Sequence, residues 1–501
     1  MRLIPRSRLA AYAAVTATLL FVAGVSWVKH VKAAGEQQRI VAATVHITTI
    51  SSSPDFSKPW QSKGTETSTA SGVIIHGNRI LTNAHAVDYA ASIEVKRPGI
   101  QKQFLAHVDQ IDHGCDLALL TVEDEDFFTQ VTPLSVGPLA SIGSVVSAYG
   151  YPIGGETVSA TSGVVSRIER TEYVHSERSL LLSQIDAAIN AGNSGGPVVS
   201  NSKIVGIAVQ GIDEADNVAY MIPAPMIERF LKDAADGIIA GVPSFGAYCH
   251  PVENDALREY LGLSDRQSGT LVSEINYGSS SWGKLAPDDV ILAVDGIPVA
   301  NDRTVALTDG ARVEFGYLIE RKQVGESATV AVWRNKTETS VTLTLVASDG
   351  LIPAPTYETR RPYRTIGGLV FQPATADHIS ALTSDVPTSV LSAYLESTYR
   401  TESRRVLVMM TDILPHRVNR GYQDWPMSVV ETIQGTPVED FEHFNQLLDT
   451  ATGKWLNITF SDKSRLVLDL VAARDANDEV FKTFAIAQDR WPATPATVAV
   501  K

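Results

Sequence analysis

The sequence predicts a mainly β protein: a barrel or sandwich of short strands, followed by two copies of a smaller module. Two observations carry this. From about residue 39 to 242, short apolar runs such as "IVAATVHITTI", "DLALLTV" and "NVAYMIPA" are separated by Gly, Ser and Asn. Runs of that length bounded by turn residues read as strands. In the second half, three segments recur in the same order. Phe245–Pro251 is similar to Gly367–Pro373, Asp288–Asp302 to Met427–Phe441, and Ala328–Val346 to Trp455–Val471, the last pair reading as β-hairpins. Ordered recurrence marks two copies of one supersecondary unit.

The 501 residues allow about three domains, and 44% hydrophobic residues suffice for several cores. A net charge of −14 argues against a general basic field for nucleic acid or an anionic membrane surface. Cys115 and Cys249 are the only cysteines. No CxxC or HxxxH spacing offers a metal site, so a structural zinc is not expected, and two distant cysteines predict free thiols.

At the N-terminus, Arg2, Arg6 and Arg8 precede an uncharged run over residues 9–28. About 20 apolar residues can span a bilayer. Small residues around Val31 and Ala33 also fit a cleavage site. Residues 1–37 therefore read as a signal-anchor helix or a signal peptide, with the rest exported. Residues 38–242 form the strand-rich domain. It closes on "PAPMIERFLKDAADG", whose apolar spacing, Pro223 and Gly237 predict a short helix. Residues 243–348 are the first module, 349–363 a Pro-rich linker, 364–488 the second module and 489–501 a tail. The second module carries an insert, "ALTSDVPTSVLSAYLESTYRTESR".

Between the strands lies "NAGNSGGPVV", Asn190 to Val199, with Ser194 set among glycines. A serine hydroxyl becomes a useful nucleophile when an imidazole takes its proton and an acid holds that imidazole. The attacked carbonyl also needs backbone N–H donors, and glycine permits that close approach. "RILTNAHAV" places His85 after an apolar strand between two alanines, and "DHGCDLALL" places Asp116 before an alternating strand. Of the competing acids, Asp112 falls in a polar loop, Asp88 is too near His85, and Asp186 braces the loop before Ser194. Cys115 has no base of its own and reads as packing. The order His, Asp, Ser, at spacings of 31 and 78 residues, is that of chymotrypsin-type enzymes.

With "TNAHAV", "DLALL", "SGVVS" and "QIDAAINAGNSGGPVV" in place, the chain resembles the Deg/HtrA serine proteases. The repeated modules resemble PDZ domains, and the insert resembles that of the long Deg proteases of plants and some bacteria. The resemblance implies a chymotrypsin-like double β-barrel protease domain followed by two α+β PDZ-like domains. It implies ATP-independent degradation of unfolded or damaged proteins, no cofactor, and a homotrimer or a multiple of trimers. It places the protein in a bacterial periplasm, anchored to the inner membrane through residues 9–28 or soluble after cleavage. His85, Asp116 and Ser194 carry over as the triad. Gly192, Asn193 and Ser194 carry over as the oxyanion-hole donors, with Ala191 where the family usually has proline. Ala188 would floor the side-chain pocket, with Ile189, Ile207 and Ala208 as walls. Asn193 stands where zymogen-activated relatives have Asp, so no activating cut is expected. Val209–Asn217 and Arg167–Ser179 are candidate sensor loops. In the first module, Phe245, Gly246 and Ala247 would hold a peptide C-terminus, and "GARVEFGYLIERK" would contain the helix walling the groove. In the second, Gly367, Gly368 and Leu369 take that place, with the insert expected to cover the groove. A non-catalytic peptide-binding scaffold or holdase on the same folds is the alternative. No Walker loop is present.

Overall fold

A computed structural model of the chain describes residues 34–209, 219–307, 310–355, 357, 360–382, 386–396, 398–425 and 427–492. The run over residues 9–28, most of the Val209–Asn217 loop and residues 493–501 of the tail lie outside these residues. Twelve strands build two closed barrels. The first contains β1 (Thr44–Ser51), β2 (Glu66–Ile75), β3 (Arg79–Thr82), β4 (Ala90–Lys96), β5 (Phe104–Asp112) and β6 (Leu117–Val122), closed in the order β1-β2-β3-β6-β5-β4. The second contains β7 (Val145–Gly150), β8 (Ser159–Glu172), β9 (Ser179–Ile185), β10 (Pro197–Ser200), β11 (Lys203–Val209) and β12 (Ala219–Pro223), in the order β10-β11-β12-β9-β8-β7. Alternation explains the inward faces: Val45 and Ile47 of β1 have no exposed surface, and Ile50 near its end reaches solvent. Closure leaves neither barrel with an open edge.

The expected helix forms over Ala224–Asp233 and continues as a 3₁₀ turn, Ala234–Asp236. Gly237 ends it at φ 84°, a left-handed cap that glycine adopts without a Cβ clash. The helix buries Met226, Ile227 and Phe230 against β11 and β12. It also buries Arg229, which pairs with Asp233 and with Asp112. Asp112 is thus no member of a polar loop. It ends β5 in the interior because Arg229 neutralises it there.

The first module is a sheet of five main strands. Ala247–Pro251 is its edge strand and, among the described residues, pairs only with Thr270–Ile275. The stretch expected to supply the groove helix divides. Arg312–Glu314 pairs with Thr304–Ala306 as a strand, so only the single turn Tyr317–Glu320 is helical. In the second module the equivalent strand, Leu369–Pro373, is paired on both sides. One partner is Val408–Ile413; the other is Tyr363–Ile366, joined to it through Gly367 and Gly368. Both glycines have positive φ, 56° and 84°, as a tight two-residue hairpin demands. The chain's own strand therefore occupies this edge. Among the described residues the insert packs elsewhere: Val390 and Ala393 of its helix Thr388–Leu395 join Leu351, Ile352 and Met409 in a separate small core, and the Arg400 N–H donates to Asn276 Oδ1 of the first module at 2.8 Å.

The modules are fastened to the barrels. Arg170 on β8 meets Glu314 and Glu320 of the first module. Arg178 meets Asp349 of the linker, and Gln372 of the second module donates to the Phe56 carbonyl. Both cysteines are buried and unbonded, as their separation predicted.

Candidate active site

Strand β3 ends at Thr82 and delivers Asn83 and His85 to the junction of the barrels. The 3₁₀ turn His113–Cys115 ends at Asp116, which adopts φ 54°, ψ 45° and turns its side chain toward His85. His85 donates its backbone N–H to Asp116 Oδ1 (2.9 Å), and its Nδ1 lies 2.8 Å from Asp116 Oδ2. Asn83 Nδ2 donates to the Asp116 carbonyl at 3.0 Å. Engaging Nδ1 with a carboxylate puts the proton there and leaves Nε2 as the acceptor. The Asp116 side chain is 2% exposed and that of His85 29%, so the acid is sealed while the imidazole keeps an open face. Burial works against charge on both groups. The attraction and hydrogen bonds between them prevail, lowering the Asp116 pKa and raising that of His85 above its usual 6.5.

The Ser194 loop is held against the first barrel. Ser71 N–H donates to the Ser194 carbonyl at 2.8 Å, and Ser71 Oγ to the Gly192 carbonyl at 2.7 Å. Ile153 N–H donates to the Ala191 carbonyl at 2.9 Å. In a trans peptide the carbonyl and N–H point opposite ways, so this bond aims the Gly192 N–H away from Ile153. Gly192 sits at φ 95°, and a Cβ there would collide with the Tyr151 carbonyl. Among the described residues, the N–H groups of Gly192 and Ser194 have no protein acceptor and can serve a developing oxyanion. Asn193 departs from expectation: its N–H donates to the Asn190 carbonyl at 2.9 Å, because the turn closes on itself there. Ser194 Oγ makes no hydrogen bond to His85 in this resting geometry.

The residues expected around the side-chain pocket separate. Ala188 is exposed and Ile189 half-buried. Ile207 and Ala208 have no exposed surface. Strand β11 is covered by the barrel interior on one face and by the Ala224–Asp233 helix on the other, so neither side chain reaches solvent. Asp186 accepts the Val164 N–H and ties the loop before Ser194 to β8.

Sequence reasoning missed a group of rings beside His85. His175, in the loop after β8, lies 5.9 Å from His85 between centroids. His113 Nδ1 and His175 Nε2 are 2.9 Å apart. Tyr357 of the linker stacks on both, at 4.4 Å from His113 and 4.0 Å from His175. No local pattern joins residues so far apart in sequence.

A second candidate site faces the first module's loop. Phe245, Gly246 and Ala247 line a cavity of about 520 Å³, with Arg170 and Arg178 from the protease side and Arg303 from the module. Among the described residues, the N–H groups of Phe245 and Gly246 have no protein acceptor. The edge of Ala247–Pro251, which no second described strand pairs, continues from them; Arg303 Nη1 donates to its Cys249 carbonyl at 2.9 Å, and Tyr394 and Tyr399 of the insert line the same cavity.

Comparison with known proteins agrees with this architecture. A trypsin-like peptidase domain family matches residues 70–207, and a PDZ domain family matches residues 352–492. "Protease Do-like 2, chloroplastic" of Arabidopsis thaliana is 34% identical over 453 residues, covering 89% of this chain and 74% of that protein. "Protease Do-like 4, mitochondrial", from the same plant, is 32% identical over 447 residues, covering 89% and 84%. Among solved structures, a variant of the HtrA-type protease AlgW with a decapeptide is similar at TM-score 0.50 and 22% identity, over 64% of this chain and 99% of that one.

Proposed function

The chain belongs to the Deg/HtrA family of serine endopeptidases, and from that premise we propose that Ser194, His85 and Asp116 carry out its peptide-bond hydrolysis. One observation carries the reading: a single carboxylate, Asp116, takes both the backbone N–H and the Nδ1 of His85. In this reading His85 Nε2 removes the Ser194 proton as Oγ attacks the substrate carbonyl. The charge that builds on oxygen falls to the N–H groups of Gly192 and Ser194. The proton passes to the leaving amine, and water then cleaves the acyl-enzyme by the same route. Asp116 stabilises the transient imidazolium and keeps its own charge throughout.

The fold supports binding of peptide substrates. We assign C-terminal and strand-like peptides of unfolded proteins to the first module, because no second described strand pairs with its Ala247–Pro251 edge. Cleavage is expected after small or medium aliphatic residues, since the half-buried Ile189 and exposed Ala188 offer no carboxylate for a basic side chain. Activity without ATP, export led by residues 9–28, and assembly as trimers complete the proposal. Its bacterial periplasmic setting is not carried by the plant relatives, whose names place them in chloroplasts and mitochondria. Digestion of a casein-type substrate by the purified chain, beside Ser194→Ala, tests the assignment. Loss of turnover in the variant supports it. Retained turnover removes Ser194 from the chemistry, and an inert parent chain leaves the scaffold reading.

A further inference from the structure

The ring group beside His85 joins three segments of the chain. His113 belongs to the turn that ends in Asp116. His175 belongs to the loop after β8. Tyr357 belongs to the linker between the two modules, outside the protease domain. The two imidazoles meet edge to edge through their 2.9 Å hydrogen bond, and the Tyr357 ring lies over both, inclined by 22° and 24°. Tyr357 Oη also donates to the His175 carbonyl at 2.5 Å.

The linker is pinned on either side of this stack. Asp349 pairs with Arg178, three residues beyond His175, at 2.7 Å. Arg361 donates to Tyr89 Oη at 2.6 Å, four residues beyond His85, and pairs with Asp377 of the second module at 2.7 Å. The linker thus touches the segment leaving His85, the turn delivering Asp116 and the loop whose imidazole faces His85.

His85 meets Asp116 at 2.8 Å and the His175 ring at 5.9 Å between centroids. Its bond to Asp116 fixes one ring nitrogen but allows the ring to rock about the Nδ1–Oδ2 line. The His175 ring stands against that motion only if His175 is itself held.

We infer that Tyr357 is a positioning residue for His85: its stack on His175 and His113 holds the imidazole and its acid in working alignment, so that catalysis depends on a docked linker. The inference rests on the triad reading above. It makes the seating of the second module, through Arg361 and Asp377, part of the condition for turnover.

The test uses the full chain with Tyr357→Phe, Tyr357→Leu and Tyr357→Ala, and two readouts. One is the rate at which a fluorophosphonate labels Ser194, which reports activation of the nucleophile without a peptide side chain. The other is kcat and KM on one peptide substrate, with melting curves to confirm folding. Misalignment far from the reacting atoms is enough to slow chemistry by about tenfold or more. Tyr357→Ala is expected to lower both the labelling rate and kcat by at least that factor, with KM within about twofold of the parent. Tyr357→Phe, which keeps the ring, is expected to stay within about threefold, and Tyr357→Leu to fall between. Wild-type labelling in folded Tyr357→Leu and Tyr357→Ala overturns the inference. So does faster labelling, which would make the linker a restraint, and so does a change in KM alone. Should Tyr357→Ala not fold, the Phe and Leu pair decides. Failure of the triad reading looks different: Ser194 in the parent chain would not label, or Ser194→Ala would still turn over.

Discussion

Arg170 on β8 forks onto Glu320 of the first module, with three hydrogen bonds of 2.6 to 3.1 Å. Glu320 is 5% exposed, and Glu314 adds a second carboxylate 3.2 Å from the same guanidinium. Burial drives the Glu320 pKa upward, and Arg170 offsets only part of this. The pair therefore depends on its geometry: a planar fork meets a planar carboxylate, which lysine could not reproduce. Because Arg170 lies within the Arg167–Ser179 segment, it ties the segment containing His175 to the first module.

Replacing Arg170 by Ala leaves Glu320 in the interface without its partner. Breaking a buried pair from one side costs roughly 3 to 5 kcal/mol, reduced here because Arg170 is a quarter exposed. The expected outcome is a module that detaches more readily, read as faster limited proteolysis near residues 237–243 and a lower melting temperature. Glu320→Gln should be milder, since the amide oxygen still accepts from Arg170. Equal proteolysis of parent and Arg170→Ala chains would show that other contacts hold the module.

In the proposed triad, Asp116 sets the pH range of activity. The base must be neutral to accept the Ser194 proton, and Asp116 raises the His85 pKa above 6.5. The acid limb of kcat/KM should therefore lie above 6.5. In Asp116→Asn the attraction is gone while burial, which lowers the His85 pKa, remains. The limb should move to lower pH, and kcat should fall by roughly 10³ to 10⁴ through loss of the correct tautomer. A limb that stays in place while kcat falls would mean that His85 does not titrate against Asp116.

The short strands and the helix at Ala224–Asp233 were legible because strand alternation, proline and glycine act over a few residues, whereas the choice of barrel over sandwich came only with the family resemblance. His85 and Asp116 were legible because a short segment around each carries its own pattern. What escaped is contact between distant segments. Nothing near Tyr357 announces His113 or His175, and nothing near Asp112 announces Arg229. Gly367 and Gly368 suggested a peptide-binding loop by similarity to Phe245–Ala247. Two adjacent glycines equally suit a two-residue hairpin, and the choice rests on the pairing of Tyr363–Ile366, which lies in tertiary structure. Ile207 and Ala208 were misplaced for a related reason. Proximity in sequence to a pocket does not say which face a fully covered strand presents.

The two modules should differ in peptide binding. The first pairs Ala247–Pro251 with no second described strand and places Gly246 at φ 71°, where a Cβ would run into Ser279. In the second, Tyr363–Ile366 fills the edge and Asn477 accepts the Gly367 N–H at 2.9 Å. Labelled peptides with apolar C-termini, titrated against the full Ser194→Ala chain, should bind at one site and weaken when the carboxylate is amidated. Gly246→Ala should abolish that binding. Gly368→Ala should leave it unchanged in protein that remains folded. Binding that survives Gly246→Ala would move the site elsewhere.

The imidazole pair should make the fold sensitive to mild acid. His113 and His175 are each held at a pKa of about 4, mainly by burial, against 6.5 for an ordinary histidine. His175 also opposes charge on His113, and His85 opposes it on His175, while Asp116 and Asp112 favour it on His113 and Asp116 and Asp377 favour it on His175. Between pH 6.5 and about 4 the unfolded chain binds more protons at these positions than the folded one. Stability therefore falls as pH drops through that window, and these two groups take no more from it below about 4. Protonating both would set two like charges across a 2.9 Å contact under Tyr357. His175→Phe keeps a ring beneath Tyr357 but removes one titration and the repulsion. Melting temperatures of Ser194→Ala and of Ser194→Ala with His175→Phe, recorded from pH 7 to 4, should diverge, with the shallower decline in the double variant. The carboxylates remote from this pair contribute alike to both chains and cancel in the comparison. Parallel curves would show that His175 does not resist protonation in the folded chain.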